Sequence, residues 1–420
     1  MKQLQKKLDY KWVIVVACFA MIFVGLGFCS GNKSLFLAAV TEALHIPRGV
    51  YAVGDSIRYV VTSVTNLFFG FLVMKLGPRK LVGIGMLSLA LSNLINALAE
   101  NVYVLYLGSV FLGLGFTFGS TTIVGYVINI WCKEKKGTIM GLVLCANGLG
   151  SGLSAQWFSS MIYNGDPFGY RTAYQSAALI LLIAAIVLVA VFRDAPKDQK
   201  ELPAAEKKKA KGSSWEGITL AQALKTPYFY IACACIFCTG AVLQSVTGVS
   251  SAHLKDQGFA PEFVATIASV SHISLAICKF SAGFLYDKKG LKFTVLLCDA
   301  AAILMISLLS IVTNSPVGQG ISYAYAVLAS MALPLETIML PLIAGELFGQ
   351  REYPKLLGIF VSVNTAGYAV GPLVSNICFD MIGTYRPVFW VYAGIMVVVT
   401  AAFLYVLRKV DATRKALAAQ

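Results

Sequence analysis

Runs of about 20 apolar residues recur along the whole chain, the length a helix needs to cross roughly 30 Å of hydrocarbon. They are separated by short polar turns and by one long hydrophilic segment. Inside a bilayer no water is present to bond the backbone, so only helices or closed barrels can span it. The runs are continuously apolar rather than alternating, which excludes a barrel. The expected class is therefore an all-α polytopic membrane protein. Composition agrees: 58% of residues are hydrophobic and 13% charged, where a soluble chain carries about 25% charged.

A net charge of +14 raises the question of a nucleic-acid partner, and the placement of the charge answers it. Of 34 Lys and Arg, 27 fall in the amino-terminal tail, alternate short loops, the hydrophilic segment and the carboxy-terminal tail. Only Arg48, Arg171, Lys255 and Arg386 fall in the other loops, and Lys33, Arg58 and Lys279 fall in or near spans. This is the asymmetry of cytoplasmic loops, so both termini are expected in the cytoplasm and no nucleic acid is implied. Ten Cys are scattered without zinc or redox spacing and read as small packing residues, so no metal is expected. No phosphate-binding glycine loop, nucleophile elbow or metal-ligand cluster is visible, so neither an enzyme nor a cofactor is expected. The first span follows Met1-Lys-Gln-Leu-Gln-Lys-Lys7 without an obvious cleavage site and reads as a retained anchor.

Spans are expected near 12–44 (interrupted at Gly31-Asn32-Lys33), 50–73, 81–98, 102–131, 138–162 and 170–192. A second set falls near 228–253, 263–285, 293–312, 321–348, 356–379 and 388–407. The boundaries are thus a first half at 12–192, a cytoplasmic linker at 193–227 with the run Glu206-Lys-Lys-Lys-Ala-Lys211, and a second half at 228–410. An internal repeat supports six spans, linker, six spans. Gly70-Phe-Leu-Val-Met74-Lys75-Leu-Gly77-Pro78-Arg79-Lys80 matches Gly283-Phe-Leu-Tyr-Asp287-Lys288-Lys289-Gly290-Leu-Lys292, both expected as short charged loops. The run 141–147 matches 358–364 with Asn147 and Asn364 at the same offset, and Gly169-Tyr-Arg171 matches Thr384-Tyr-Arg386.

These residues resemble the major facilitator superfamily, whose loop motif after the second span of each half reads Gly-x-Leu-x-Asp-Arg/Lys-x-Gly-x-Arg/Lys. The resemblance implies a gating latch built from Gly70, Lys75 and Arg79 in the first half and Gly283, Asp287, Lys288 and Gly290 in the second. Met74 stands where the first copy would have its acid. Asn32-Lys33-Ser34, Leu72-Val-Met-Lys-Leu-Gly-Pro-Arg79, Lys225-Thr-Pro-Tyr-Phe229 and Ile277-Cys-Lys279-Phe-Ser-Ala-Gly283 are similar to the monocarboxylate transporter and oxalate/formate antiporter families. That likeness implies that Lys33 and Lys279 occupy the places of cations implicated in holding a carboxylate. It also shows two departures: Leu275 where monocarboxylate transporters have an Asp, and Asn364 where oxalate carriers have a second cation.

A lysine in an apolar span costs roughly 2.5–3.5 kcal/mol on insertion scales, so Lys279 either snorkels to headgroups or faces a wet cavity and binds an anion. His272, seven residues earlier, shares its helix face and either carries a proton or packs. Arg58 is three residues from Asp55 and either neutralises it or acts in binding or gating. Glu336, between Pro334 and Pro341, is a candidate coupling-proton carrier, with Asp299 a weaker one. Gly358, Gly367, Gly371 and Pro372 read as close helix packing with a kink.

The expectation is a twelve-helix carrier of two pseudo-symmetric halves, moving a small organic monocarboxylate by alternating access in a bacterial inner membrane, as a monomer. Lys279 and Lys33 would neutralise the carboxylate, aided by Arg58, while Asn364 and Asn147 orient it. Coupling would be proton symport through His272 or Glu336, or exchange for another acid. Two alternatives stand beside it: efflux of lipophilic, drug-like compounds, and a transporter-derived carboxylate sensor.

Overall fold

The computed structural model describes residues 2–30, 32–132, 134–162, 166, 168–194 and 217–418. The linker between 195 and 216, with its basic run, lies outside the described residues, as does the side chain of Lys33. Among the described residues there is no strand. The chain divides into two compact units, Met1–Ala210 and Lys211–Gln420.

In the first unit the helices are α1 (Lys2–Cys29), α2 (Lys33–Ala43), α3 (Arg48–Leu67), α4 (Phe69–Leu76), α5 (Pro78–Ala97), α6 (Val102–Phe118), α7 (Thr121–Trp131), α8 (Lys136–Ile162) and α9 (Gly169–Val191). In the second they are α10 (Leu220–Ala223), α11 (Pro227–Asp256), α12 (Pro261–Ile311), α13 (Pro316–Ala332), a π-helix (Leu335–Met339), α14 (Leu340–Phe348), α15 (Tyr353–Ile382) and α16 (Arg386–Ala418). Ten helices among the described residues are long and apolar enough to cross a membrane, and α3 with α4, bent by 61°, make an eleventh crossing. One of the ten, within α12, is two helices joined at Gly290, which brings the crossings to twelve.

Helix starts follow local chemistry. Asn101 and Ser315 accept from the backbone N–H groups of Val104 and Gly318, and Pro78, Pro227, Pro261 and Pro316 occupy first-turn positions where a missing N–H costs nothing. The expectation of a charged loop over Gly283–Lys292 is corrected here. The chain stays helical through Lys289, because every residue between Gly283 and Gly290 tolerates helix, and it turns only at Gly290 (φ 80°, ψ 175°). The first copy turns the same way at Gly77 (φ 78°, ψ 156°), a backbone conformation that disfavours any side chain.

The repeat extends to packing. A Cβ on Gly150 of α8 would sit 2.1 Å from the Phe23 carbonyl oxygen of α1, and one on Gly367 of α15 would sit 2.4 Å from that of Phe237 in α11. Backbones approach this closely only where side chains vanish, which is how helices gain contact in lipid. The repeated Tyr-Arg pair also has one job twice. Arg171 Nη2 donates to the Ala99 carbonyl (3.3 Å), just past α5. Arg386 Nη2 donates to the Val312 carbonyl (2.8 Å), just past α12, and to Gln257 Oε1 (2.6 Å). Each guanidinium thus serves an orphan carbonyl at the negative end of a helix.

Candidate functional site

The second unit places an acid, a lysine and a tyrosine from three crossings together. Pro334 and Pro341 each lack the N–H that an α-helix requires, and between them the chain winds into a π-helix, Leu335–Met339. Glu336 lies on that wide turn and is 7% exposed. The Tyr368 hydroxyl of α15 donates to its Oε2 at 3.1 Å, while its buried Oε1 accepts nothing from the described protein groups. Lys279 of α12, 6% exposed, lies within electrostatic reach of Glu336. Reading the residues one at a time kept these two apart, as an anion site and a proton carrier. Lys279 is also within reach of His272, which is exposed on the same helix. Ser330 Oγ of α13 donates to the Ser271 carbonyl at 2.8 Å, fixing α13 to α12 beside His272.

Asn364 is buried and its Nδ2 donates to the Ile236 carbonyl of α11 at 3.2 Å, against the ridge at Gly240. In the first unit Asn147 Oδ1 takes a 3.4 Å bond from Ser151 Oγ. Arg58 pairs with Asp55 at 3.5 Å, and its guanidinium stands 4.1 Å from the Tyr59 ring centre and 5.2 Å from that of Phe116. Its Nε is buried and receives no acceptor. Sequence reasoning read Asn32 as part of the break in the first span and gave its side chain no role: its Nδ2 donates to Ser154 Oγ at 2.6 Å and ties α8 to the start of α2. Its neighbour Lys33 opens α2.

The gating motifs differ between the units. Gly70 and Gly283 are both buried in their helices, while Lys75 and Lys288 are exposed and lie over Phe71 and Phe284 at 5.7 and 4.4 Å. Met74 is exposed, and the acid found at this end of the unit is Asp194, from beyond α9. Asp194 Oδ1 accepts from the Arg79 backbone N–H (3.0 Å) at the positive end of α5, and Arg79 Nε donates to the Val189 carbonyl (2.7 Å). In the second unit Asp287 is exposed, Gly290 faces open space, and Tyr286 donates to Glu346 of α14 at 3.0 Å. No group of three metal-ligating side chains occurs among the described residues.

Comparison with known proteins matches this architecture. The family model described as "Major Facilitator Superfamily" covers residues 13–339 and 235–420. The chain is 23% identical over 401 residues to Multidrug resistance protein 2 of Bacillus subtilis, covering 92% of each. It is 25% identical over 397 residues to Monocarboxylate transporter 13 of Rattus norvegicus, covering 91% of this chain and 85% of the relative. The solved structure of the proton:xylose symporter XylE is similar in fold, with a TM-score of 0.74 at 14% identity over 96% of each chain. The chain belongs to the major facilitator superfamily, and is a multi-pass membrane transporter rather than an enzyme.

Proposed function

We propose that this transporter carries a small organic monocarboxylate by alternating access, with Lys279 and Lys33 supplying the positive charge that receives the carboxylate. The observation that carries the reading is the burial of Lys279 beside Glu336 on a Pro-interrupted helix. A cation removed from water calls for an anion, and an acid within its reach links that anion to a proton. Asn364, Asn147 and Arg58 are the candidate orienting groups, and the motif residues Gly70, Lys75, Arg79, Gly283, Asp287, Lys288 and Gly290 the candidate gate. Coupling runs through Glu336, with His272 the second candidate, as proton symport or as exchange for another acid. On this reading the transporter works as a monomer in a bacterial inner membrane with both termini cytoplasmic. Similarity to a monocarboxylate transporter supports the substrate class.

The test is uptake and counterflow of a labelled monocarboxylate panel in proteoliposomes, wild type beside Lys279→Gln. Saturable flux that falls at least tenfold in the variant is expected. A second reading, efflux of uncharged or cationic lipophilic compounds, is favoured by the likeness to a multidrug resistance protein along nearly the full chain. It predicts drug transport that is indifferent to Lys279→Gln, and that outcome would replace the carboxylate reading.

A further inference from the structure

The first unit holds a cation whose bonding is incomplete. Arg58 lies ten residues after Arg48, the first of α3, or about 15 Å along the helix axis. Asp55, Arg58, Tyr59, Thr62 and Asn66 recur at intervals of three or four and make one polar face of α3. Val53, Val60, Val64 and Leu67 make the opposite face, which is exposed. Arg58 thus stands away from the apolar side that lipid would cover, and snorkelling does not account for it.

Packing against α6 fixes its place. A Cβ on Gly113 would sit 2.8 Å from the Arg58 carbonyl oxygen, and Thr62 Oγ1 donates to the Gly113 carbonyl at 3.0 Å. The guanidinium rests against the rings of Tyr59 and Phe116, which leave its side chain 13% exposed. An arginine brings five N–H donors. Here Asp55 approaches Nη2 only to 3.5 Å, beyond the roughly 2.7–2.9 Å of a charge-assisted hydrogen bond, and Nε is buried with no acceptor. Asp55 therefore balances the charge without satisfying the donors. A pair kept for neutrality alone would close to bidentate contact, since a buried donor left unmade is costly.

We propose that Arg58 is the carboxylate receptor of the first unit, and that Asp55 is an internal counter-ion which the substrate carboxylate displaces. This rests on the carboxylate reading above and deepens it: the planar fork selects a planar oxyanion that can bond two N–H groups at once, and competition from Asp55 sets its affinity. Asp55 is the more exposed of the two, at 21%, so once displaced it can turn toward water.

The test is counterflow of the labelled monocarboxylate panel in proteoliposomes of the full-length protein, with thermal unfolding of each variant as a check of folding. Asp55→Asn is expected to keep transport and lower KM severalfold, because the competing anion is gone. Arg58→Gln and the doubly neutral Asp55→Asn/Arg58→Gln should both lose flux at least tenfold. Arg58→Lys, which keeps the charge and loses the fork, should raise KM at least tenfold. If Arg58 serves only to neutralise Asp55, the double variant regains the flux that Arg58→Gln loses and Arg58→Lys transports like wild type; either result overturns the proposal. Should Asp55→Asn fail to fold, Arg58→Lys alone decides. A wild-type protein that moves no carboxylate overturns the carboxylate reading and the proposal with it, whereas carboxylate flux that the double variant regains overturns the proposal alone.

Discussion

Glu336 accepts one hydrogen bond where a carboxylate has room for several, and Lys279 stands within its field. On the proposed carboxylate reading, a substrate carboxylate arriving at that lysine would bring a second negative charge into a buried site, and a proton on Glu336 would relieve it. Glu336→Gln, which mimics the protonated acid, is expected to keep counterflow at near wild-type rate while losing accumulation driven by an inward proton gradient. Paired counterflow and pH-jump uptake measure both. The two arginine caps give a graded prediction: Arg386 makes bonds of 2.6 and 2.8 Å and Arg171 one of 3.3 Å to a backbone carbonyl. Arg386→Gln should therefore cost about 1–3 kcal/mol and Arg171→Gln less, read as thermal shifts of the purified variants. At this scale the sequence displays charges well, since a lysine in hydrocarbon has to be explained. It hides partners: nothing near Lys279 in the chain points to Glu336 or Tyr368, which arrive from other helices.

Elements were legible where apolar length set them and illegible where charge was taken for a loop. The helix runs on through Asp287, Lys288 and Lys289 because a helix leaving the bilayer can carry charge in water, and only Gly290 adopts a backbone that ends it. Interruptions at Asn32, Pro334 and Pro341 were readable, but the π-turn between the two prolines was not, since proline removes a donor without specifying which wider turn results. Glycine contacts carry a firm expectation. A side chain on Gly367 would collide with the Phe237 carbonyl, and Gly367→Leu should destabilise by at least about 1–3 kcal/mol, visible as lower Tm and yield. Just before α11 the chain docks through the Ile218 N–H on the Phe348 carbonyl (3.1 Å) and the Leu220 N–H on Glu352 Oε2 (2.5 Å). The hydrogen bond from Lys355 and that from Leu220 hold the Glu352 carboxyl below its usual range. A depressed acid stabilises above its unfolded pKa and loses that contribution as pH falls through the folded one. Hydrogen exchange at the Leu220 amide should thus show declining protection below about pH 4.5, and Glu352→Gln should remove the pH dependence.

For the whole molecule, the duplicated pattern was the most legible property, because six spans with matching turns leave a trace in residue spacing. Gly77 and Gly290 make corresponding turns in the two units, and Gly150 and Gly367, and Arg171 and Arg386, make corresponding contacts. The charge distribution makes a topological prediction: single cysteines replacing Lys255 or Asp166 should react with an impermeant thiol reagent from outside intact cells. Cysteines replacing Glu134 or Lys289 should react only after permeabilisation. The two units nonetheless interrupt their fourth crossing by different means. In the first, α6 gives way to α7 at Gly119-Ser120; in the second, α13 gives way to α14 through five π-helical residues. A π-turn stores one residue more than an α-turn requires, and releasing it rotates everything beyond by about 100° and advances it by about 1.5 Å. Span ten therefore possesses a ratchet tooth: it can change by a whole step of register, where its counterpart can only bend.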